Sequence, residues 1–310
     1  MRHPIKLALI GFGKIANDQH LPAIAANSNF ELSCIIDPRS PSSDLPVFDT
    51  LDDAVSHGVE ITAIIICTPP VARLAIVERA IHFGFDIMLE KPPASTLSDA
   101  EMIERRVADS SQIAFATWHS RYAGMVGFAQ DWLRSHKLKR AKIVWHEDVQ
   151  IWHPNQPWLW RDGGFGVFDM GINALSILTM IHPSSYNVID AQLAIPENAT
   201  MPATAELVLN AASDARVDVS MSFLAKETET WTIELLADNG ETVSLFDGGA
   251  GCIDAQGVAR SEPNLEYANI YQRFAQLIED RESDIDIQPL AIVEQALTLG
   301  KRSQIGSLTF

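Results

Sequence analysis

The segment "IKLALIGFGKIA", residues 5–16, constrains this chain more than any other. A six-residue run, apolar but for Lys6, stops at Gly11 and Gly13, and a helical pattern starts directly after them. Gly11, Gly13 and Ala16 form G-x-G-x-x-A. In that spacing the first glycine permits a tight turn and the second lets an anion approach the backbone. The alanine keeps the following helix close to the sheet, with its N-terminus directed at the anion. A second apolar run, "ELSCII" (31–36), ends in Asp37, 21 residues beyond Ala16. A carboxylate there can hold both ribose hydroxyls of an adenosine. Strand, glycine turn, helix, strand and acid in this order predict a dinucleotide site.

The alternation continues. "ITAIIIC" (61–67), "FDIMLE" (85–90) and "QIAFAT" (112–117) also read as strands. Between the strands lie "KIANDQHLPAIAAN", "LDDAVSHG", "VARLAIVERAIHFG" and "LSDAEMIERRVADS", each helical in period or composition. Such alternation implies a parallel sheet with helices on both faces, an α/β Rossmann domain over residues 1–120. Asp37 repels a 2′-phosphate and favours NAD. Arg39, two residues on, can stack on adenine or pair with that phosphate, so NADP stays open beside NAD.

After about residue 140 the pattern changes. "KIVWHEDV", "AELVLN", "RVDVSMSF", "TWTIELLA" and "ETVSLF" are alternating or half-buried strands with short polar breaks. They predict an α+β second domain over 121–310, built on a large, mostly antiparallel open sheet. "QPLAIVEQALTLGKRS" (288–303) reads as a final helix with Pro289 in its first turn, able to pack back on the first domain.

One stretch of this second half is unusual. In "GGFGVFDMGINALSIL" (163–178), Asp169 and Asn173 lie four positions apart, one turn along a helix and on one face. Val167, Met170, Ala174, Ile177 and Ile181 recur on a neighbouring face and claim it for a core. The pair is either a capping residue with a polar partner or a proton acceptor beside a fixed amide. Six of the seven tryptophans fall between Trp118 and Trp160. Indole rings stack on the C–H faces of a sugar, whose hydroxyl rim calls for groups such as His119, Glu147, Trp152 and His153. Trp132 and Trp145 are expected in the core. Trp231 begins a strand and either closes a pocket or packs internally. His119 and His153 lack a third ligand at metal spacing, so no metal is expected.

Composition closes several alternatives. The formal charge of −17 repels phosphate backbones and argues against nucleic acid. No apolar run approaches the ~18 residues of a membrane span, and the apolar start is too short for a secretory signal. "EDRESDID" (279–286) reads as a solvated loop between two helices. Cys34, Cys67 and Cys252 are odd in number and scattered, as expected of free thiols in a reducing cytoplasm.

Two further elements add specificity: "CTPP" (67–70) and "LEKPPA" (89–94), each at the end of a strand. With "GFGKIA" and "GGFGVFDMGIN" they resemble the glucose–fructose oxidoreductase and inositol dehydrogenase (Gfo/Idh/MocA) family along the whole chain. Most members end the last motif in His; this chain has Asn173, so chemistry assigned to that His does not carry over. "GKIANDQHLPAI", "FATWHSRYA" and "EDVQIWHPNQPWLW" resemble the family's bacterial aldose 1-dehydrogenases acting on L-arabinose and D-galactose. The resemblance implies oxidation of an aldopyranose at C1 to the lactone, with hydride passed to NAD(P), and a homodimer or homotetramer. It implies a cofactor site of Gly11, Gly13, Lys14, Ile15, Asp37, Arg39, Cys67, Thr68, Pro69, Glu90 and Lys91. Lys91, Asp169 and Asn173 are the implied catalytic group, with Asp169 the favoured base and Lys91 orienting the sugar. His119, Glu147, Trp152, His153 and Trp231 complete the implied sugar pocket. The Lys91–Pro92 peptide is expected to be cis, a form almost confined to X-Pro bonds. An inositol-type ring-alcohol dehydrogenase and a non-catalytic dinucleotide sensor are the rival readings.

Overall fold

The computed structural model describes residues 3–226 and 228–309. The chain divides into two compact units. One runs up to His119 and takes in Tyr267–Ile287; the other comprises Ser120–Glu266 and the residues from Gln288 onward.

In the first unit, β1 (Ile5–Ile10), β2 (Phe30–Ile36), β3 (Val47–Phe48), β4 (Ala63–Ile66), β5 (Asp86–Glu90) and β6 (Ala114–Thr117) form one parallel sheet. Its order is β3-β2-β1-β4-β5-β6. The five strands expected from sequence are there, and the two-residue β3 adds an edge that so short a run could not announce. Leu7, Leu9, Ile64, Ile65, Ile66, Ile87 and Met88 are fully buried. Runs this uniformly apolar are what a sheet covered on both faces requires. The connecting helices are α1 (Leu21–Ala25), entered through a π-helical turn at Ala16–His20, α2 (Leu51–Ser56), α3 (Arg73–Phe83) and α4 (Leu97–Ala108). Thr50 and Thr96 cap α2 and α4 by accepting the Asp53 and Asp99 amides at 3.1 Å.

A helix from late in the chain, Glu266–Asp280, supplies Tyr267, Tyr271 and Phe274 to this unit's core. The acidic 279–286 stretch follows it and is more than a solvated loop. Asp284 donates its amide to Ala114 and accepts that of Ala116, both at 2.9 Å, covering the free edge of β6.

The second unit holds α5 (Val126–Ser135), β7 (Leu138–His146), α6 (Val149–Trp152), α7 (Phe168–Ile181), β8 (Tyr186–Pro196), β9 (Thr204–Ala211), β10 (Arg216–Ser222), β11 (Thr230–Ala237), β12 (Thr242–Phe246), β13 (Gly251–Ile253) and β14 (Ala259–Ser261). The returning helix of the first unit is α8; α9 (Gln288–Leu299) and β15 (Lys301–Ile305) complete the chain's elements. The sheet has nine strands in the order β14-β13-β12-β11-β7-β10-β9-β8-β15. It is antiparallel except at β7·β10 and β8·β15. The expected helix over 288–303 is therefore too long. It stops at Leu299, and Gly300 follows where the Ala296 carbonyl and Leu193 leave no space for a side chain. Lys301 to Ile305 then form an exposed edge strand. The segment that joins the first unit is α8 with its loop, one helix earlier than expected.

β7 alternates buried Ala141, Ile143 and Trp145 with exposed Arg140 and Lys142. α7 packs on the buried face, where Gly171 takes the only room left beside Met221 of β10. The five residues expected on its core face are buried. Val167, Met170, Ile177 and Ile181 each contribute about 2 kcal/mol by leaving water, which offsets placing a carboxylate on the same helix.

Candidate active site

The order of the first sheet reverses between β1 and β4, and open α/β sheets bind ligands outside the strand ends at that switch point. Gly11 lies there with φ +89°, and a Cβ on it would stand 3.0 Å from the Thr68 amide. Only glycine allows the two turns to meet this closely. A Cβ on Gly13 would meet no atom within 4 Å, so the turn is open where a pyrophosphate would approach. Thr68 Oγ1 is buried beside this turn with no hydrogen-bond partner. An orphaned hydroxyl and an open glycine face fit a bound dinucleotide. Lys14 is exposed and paired with Asp18, while Ile15 leads into the π-helical turn.

Asp37 is 2% exposed and fully engaged. Its Oδ1 accepts the Arg39 amide and Nε, both at 2.9 Å. Oδ2 accepts the Phe12 amide at 2.8 Å and Arg39 Nη2 at 2.5 Å. The Arg39 guanidinium, then the backbone amides, hold this carboxyl well below the usual range against the opposing effect of burial. All four acceptor positions are filled. Ribose hydroxyls can reach this carboxylate only as the Arg39 side chain, 70% exposed, swings away.

At the end of β5 the side chain of Glu90 turns inward. Its Oε1 accepts from His20 Nε2 at 3.0 Å and the Tyr267 hydroxyl at 2.8 Å; its Oε2 accepts the Lys91 amide at 3.1 Å. His20 is completely buried, with Nδ1 2.9 Å from the Tyr271 hydroxyl. Burial alone would lower the His20 pKa, but Cys67 and the Glu90 carboxylate raise it to about 10. Burial would raise Glu90, and the His20 imidazolium brings it down to about 2. Arg73, also buried, donates to the carbonyls of both Glu90 and Pro92, and to Thr68 O at 2.8 and 3.0 Å. The Lys91–Pro92 peptide is cis, as expected. His119 lies over Tyr267, with ring centroids 6.0 Å apart. His20, Arg73, Tyr267 and Tyr271 escaped the sequence reading. The spacing of Tyr267 and Tyr271 along one helix face is a signal, but it cannot say which distant strand end the tyrosines serve.

In the second unit, Gly166 adopts φ +52° against the Pro202 carbonyl and starts the turn from which α7 emerges. α7 then presents Asp169, buried, and Asn173, half-buried, one turn apart. His153 stands 3.8 Å from Asp169 Oδ2 through Nδ1 and 3.4 Å from Glu147 Oε1 through Nε2. Glu147 follows β7 and is 5% exposed; its Oε1 makes no hydrogen bond, the His153 contact being an ion-pair distance only. Trp231 of β11 pairs in register with Trp145, and its Nε1 is likewise buried and unsatisfied. Trp152 meets Trp231 at 5.5 Å and 70°, and its Nε1 donates to Glu229 at 2.6 Å. The fold thus gathers Glu147, Trp152, His153, Asp169 and Trp231 from the end of β7, from α6 and its C-cap, from α7 and from β11. Lys91 and His119 belong to the first unit. Trp145 is in the core as expected, whereas Trp132 is half-buried and stacks on His136 at 4.5 Å. Its position on the outer side of α5 keeps it out of the core.

Residues 5–117 match the model of the Gfo/Idh/MocA oxidoreductase family, described as an NAD-binding Rossmann fold. The chain is 37% identical to a galactose 1-dehydrogenase of Pseudomonas fluorescens over 97% of its own length and 98% of that protein's. The chain belongs to the Gfo/Idh/MocA oxidoreductase family. The crystal structure of a D-galactose-1-dehydrogenase from Rhizobium etli superposes on this member with a TM-score of 0.94 at 37% identity, covering 100% of this chain and 99% of the other. A 3-ketoreductase from Actinomadura kijaniata shares the fold, with a TM-score of 0.80 at 14% identity, over 97% and 99% of the two chains. The family's NAD-binding region, as matched, spans every residue assigned above to the cofactor. Among the described residues, no helix of this family member is long and apolar enough to cross a membrane.

Proposed function

We propose that the protein is an aldose 1-dehydrogenase that oxidises D-galactose, and with it L-arabinose and D-fucose, at C1 to the aldonolactone. The observation that carries this reading is the near-full-length identity to two galactose 1-dehydrogenases. The three sugars share ring stereochemistry at C2 to C4 and differ only in the group on C5.

NAD, or NADP in its place, supplies the hydride acceptor when bound. Gly11, Gly13, Lys14 and Ile15 would hold its pyrophosphate, Asp37 and Arg39 its adenosine ribose, and Cys67, Thr68, Pro69, Glu90 and Lys91 the nicotinamide half. As the C1 hydride leaves, the anomeric hydroxyl loses its proton, and Asp169 takes it. Asn173, which donates and accepts but does not ionise, fixes the same hydroxyl. Lys91 orients the sugar and the nicotinamide ribose. His119 and His153 bind rim hydroxyls. Glu147 Oε1 is an unsatisfied acceptor and Trp231 Nε1 an unsatisfied donor, and each would be served by a sugar hydroxyl, donating to the first and accepting from the second. The Trp152 ring offers a stacking face.

Purified protein mixed with NAD or NADP and a panel of aldoses and inositols tests the proposal through absorbance of the reduced nicotinamide. Turnover with galacto-configured aldoses is expected. Turnover only with inositol, or none with any sugar, would overturn it. The expected homodimer or homotetramer belongs to the same reading. The uncovered sheet face, carrying Arg140, Lys142 and Glu234, would receive the second copy, and light scattering on the purified protein decides it.

A further inference from the structure

Lys91 would be an ordinary exposed loop lysine unless something fixed its backbone. Three attachments do so, all within the first unit. Glu90 Oε2 accepts the Lys91 amide at 3.1 Å, and the Arg73 guanidinium holds the carbonyls on either side, those of Glu90 and Pro92. Arg73 ties the same residues to Thr68 O at 2.8 Å, joining the ends of β4 and β5. The carboxylate that takes the Lys91 amide is itself pinned at its other oxygen by His20 at 3.0 Å and Tyr267 at 2.8 Å, and His20 is braced by Tyr271 at 2.9 Å. His20, Arg73 and Glu90 are each at most 4% exposed. Burying so many charged and polar groups costs desolvation that only close pairing repays, and what such a network supplies beyond an apolar core is a fixed geometry. A well-packed apolar cluster would fill this space at lower cost.

We propose that His20, Arg73 and Tyr267 are positioning residues that aim Lys91 through the clamped backbone of residues 90–92. α8 thereby takes part in the chemistry: it delivers Tyr267 and Tyr271 to the end of β5. This inference rests on the role given to Lys91 above. Near-attack geometry is sensitive to shifts of about 1 Å, so loosening the clamp lowers turnover more than binding.

The test is a set of double-mutant cycles with D-galactose and NAD. Tyr267→Phe, which keeps the ring and loses one hydrogen bond, is expected to lower kcat about tenfold. NAD affinity by calorimetry and the sugar KM should change less than about twofold. His20→Gln should behave alike; where it folds poorly by thermal melting, Tyr267→Phe carries the test alone. In a Lys91→Arg background the Tyr267→Phe loss should shrink to under about twofold, because residues acting as one unit are non-additive. The full tenfold loss in that background, or an undiminished kcat in Tyr267→Phe, overturns the inference. Normal turnover of Lys91→Arg and Lys91→Ala would instead remove the role of Lys91 itself, a separately visible failure.

Discussion

His153 Nδ1 lies 3.8 Å from Asp169 Oδ2, while the opposite nitrogen of the same ring faces the second buried carboxylate, Glu147. Asp169 is therefore a buried carboxylate beside an imidazole and not a solvated charge. If it accepts the anomeric proton, Asp169→Asn should lower kcat on the order of a hundredfold with a smaller change in KM. Asn173→Ala removes orientation but not the base, so kcat should fall and KM should rise, both moderately. Steady-state kinetics with the two variants decide the order; a silent Asp169→Asn would shift the base role to Lys91.

Trp231→Phe separates binding from folding. The indole N–H is buried and unsatisfied in the free protein, so its removal relieves a desolvated donor instead of breaking a bond. The melting temperature should hold or rise, while the sugar KM increases several-fold. A KM equal to that of the parent protein would mean the N–H does not meet substrate.

The Asp37–Arg39 pair predicts opposite effects of two substitutions. Asp37→Ser removes repulsion of a 2′-phosphate and releases Arg39 to pair with it, so the NADP/NAD ratio of kcat/KM should rise about tenfold. Arg39→Ala empties the positions that compete with ribose hydroxyls, so NAD affinity should hold or improve while NADP affinity falls. Unmoved ratios in both variants would place neither residue at the ribose.

Gly166→Ala tests how α7 is launched. The substitution meets the Pro202 carbonyl and a backbone φ of +52°, with an expected cost of about 1–3 kcal/mol. Melting should shift down by several degrees and turnover should drop with it, because Asp169 lies in the first turn. An unaltered melting curve would show that the turn yields freely.

The His20–Glu90 pair sets a pH signature on stability. His20 is raised to about 10, so its contribution is complete below pH 6.5 and is lost as the pH rises toward 10. Glu90 is lowered to about 2, so its contribution is complete above pH 4.5 and is lost as the pH falls toward 2. Melting temperature against pH should show both flanks in the parent protein, and His20→Gln should flatten the alkaline one. An alkaline flank of equal slope in both proteins would mean His20 does not carry the charge.

The amino-acid order alone determined the parallel sheet, because its strands are buried on both faces and read as unbroken apolar runs such as "ALI" and "AIII". It also determined the glycine turn and the acid that follows β2, since local sterics and charge suffice to define them. The Asp169–Asn173 spacing was equally legible, because helical periodicity lies in the sequence itself. Tertiary structure decided what periodicity does not encode. The parallel pairing of β7 with β10, and of β8 with β15, joins segments far apart in the chain. The Arg39 guanidinium on Asp37 and the gathering of Glu147, His153 and Asp169 depend on side-chain rotamers and on which loops meet. The Glu90 cluster is the clearest case: its members lie at positions 20, 73, 90, 267 and 271; packing of the first unit joins the first three, and the return of α8 adds the two tyrosines.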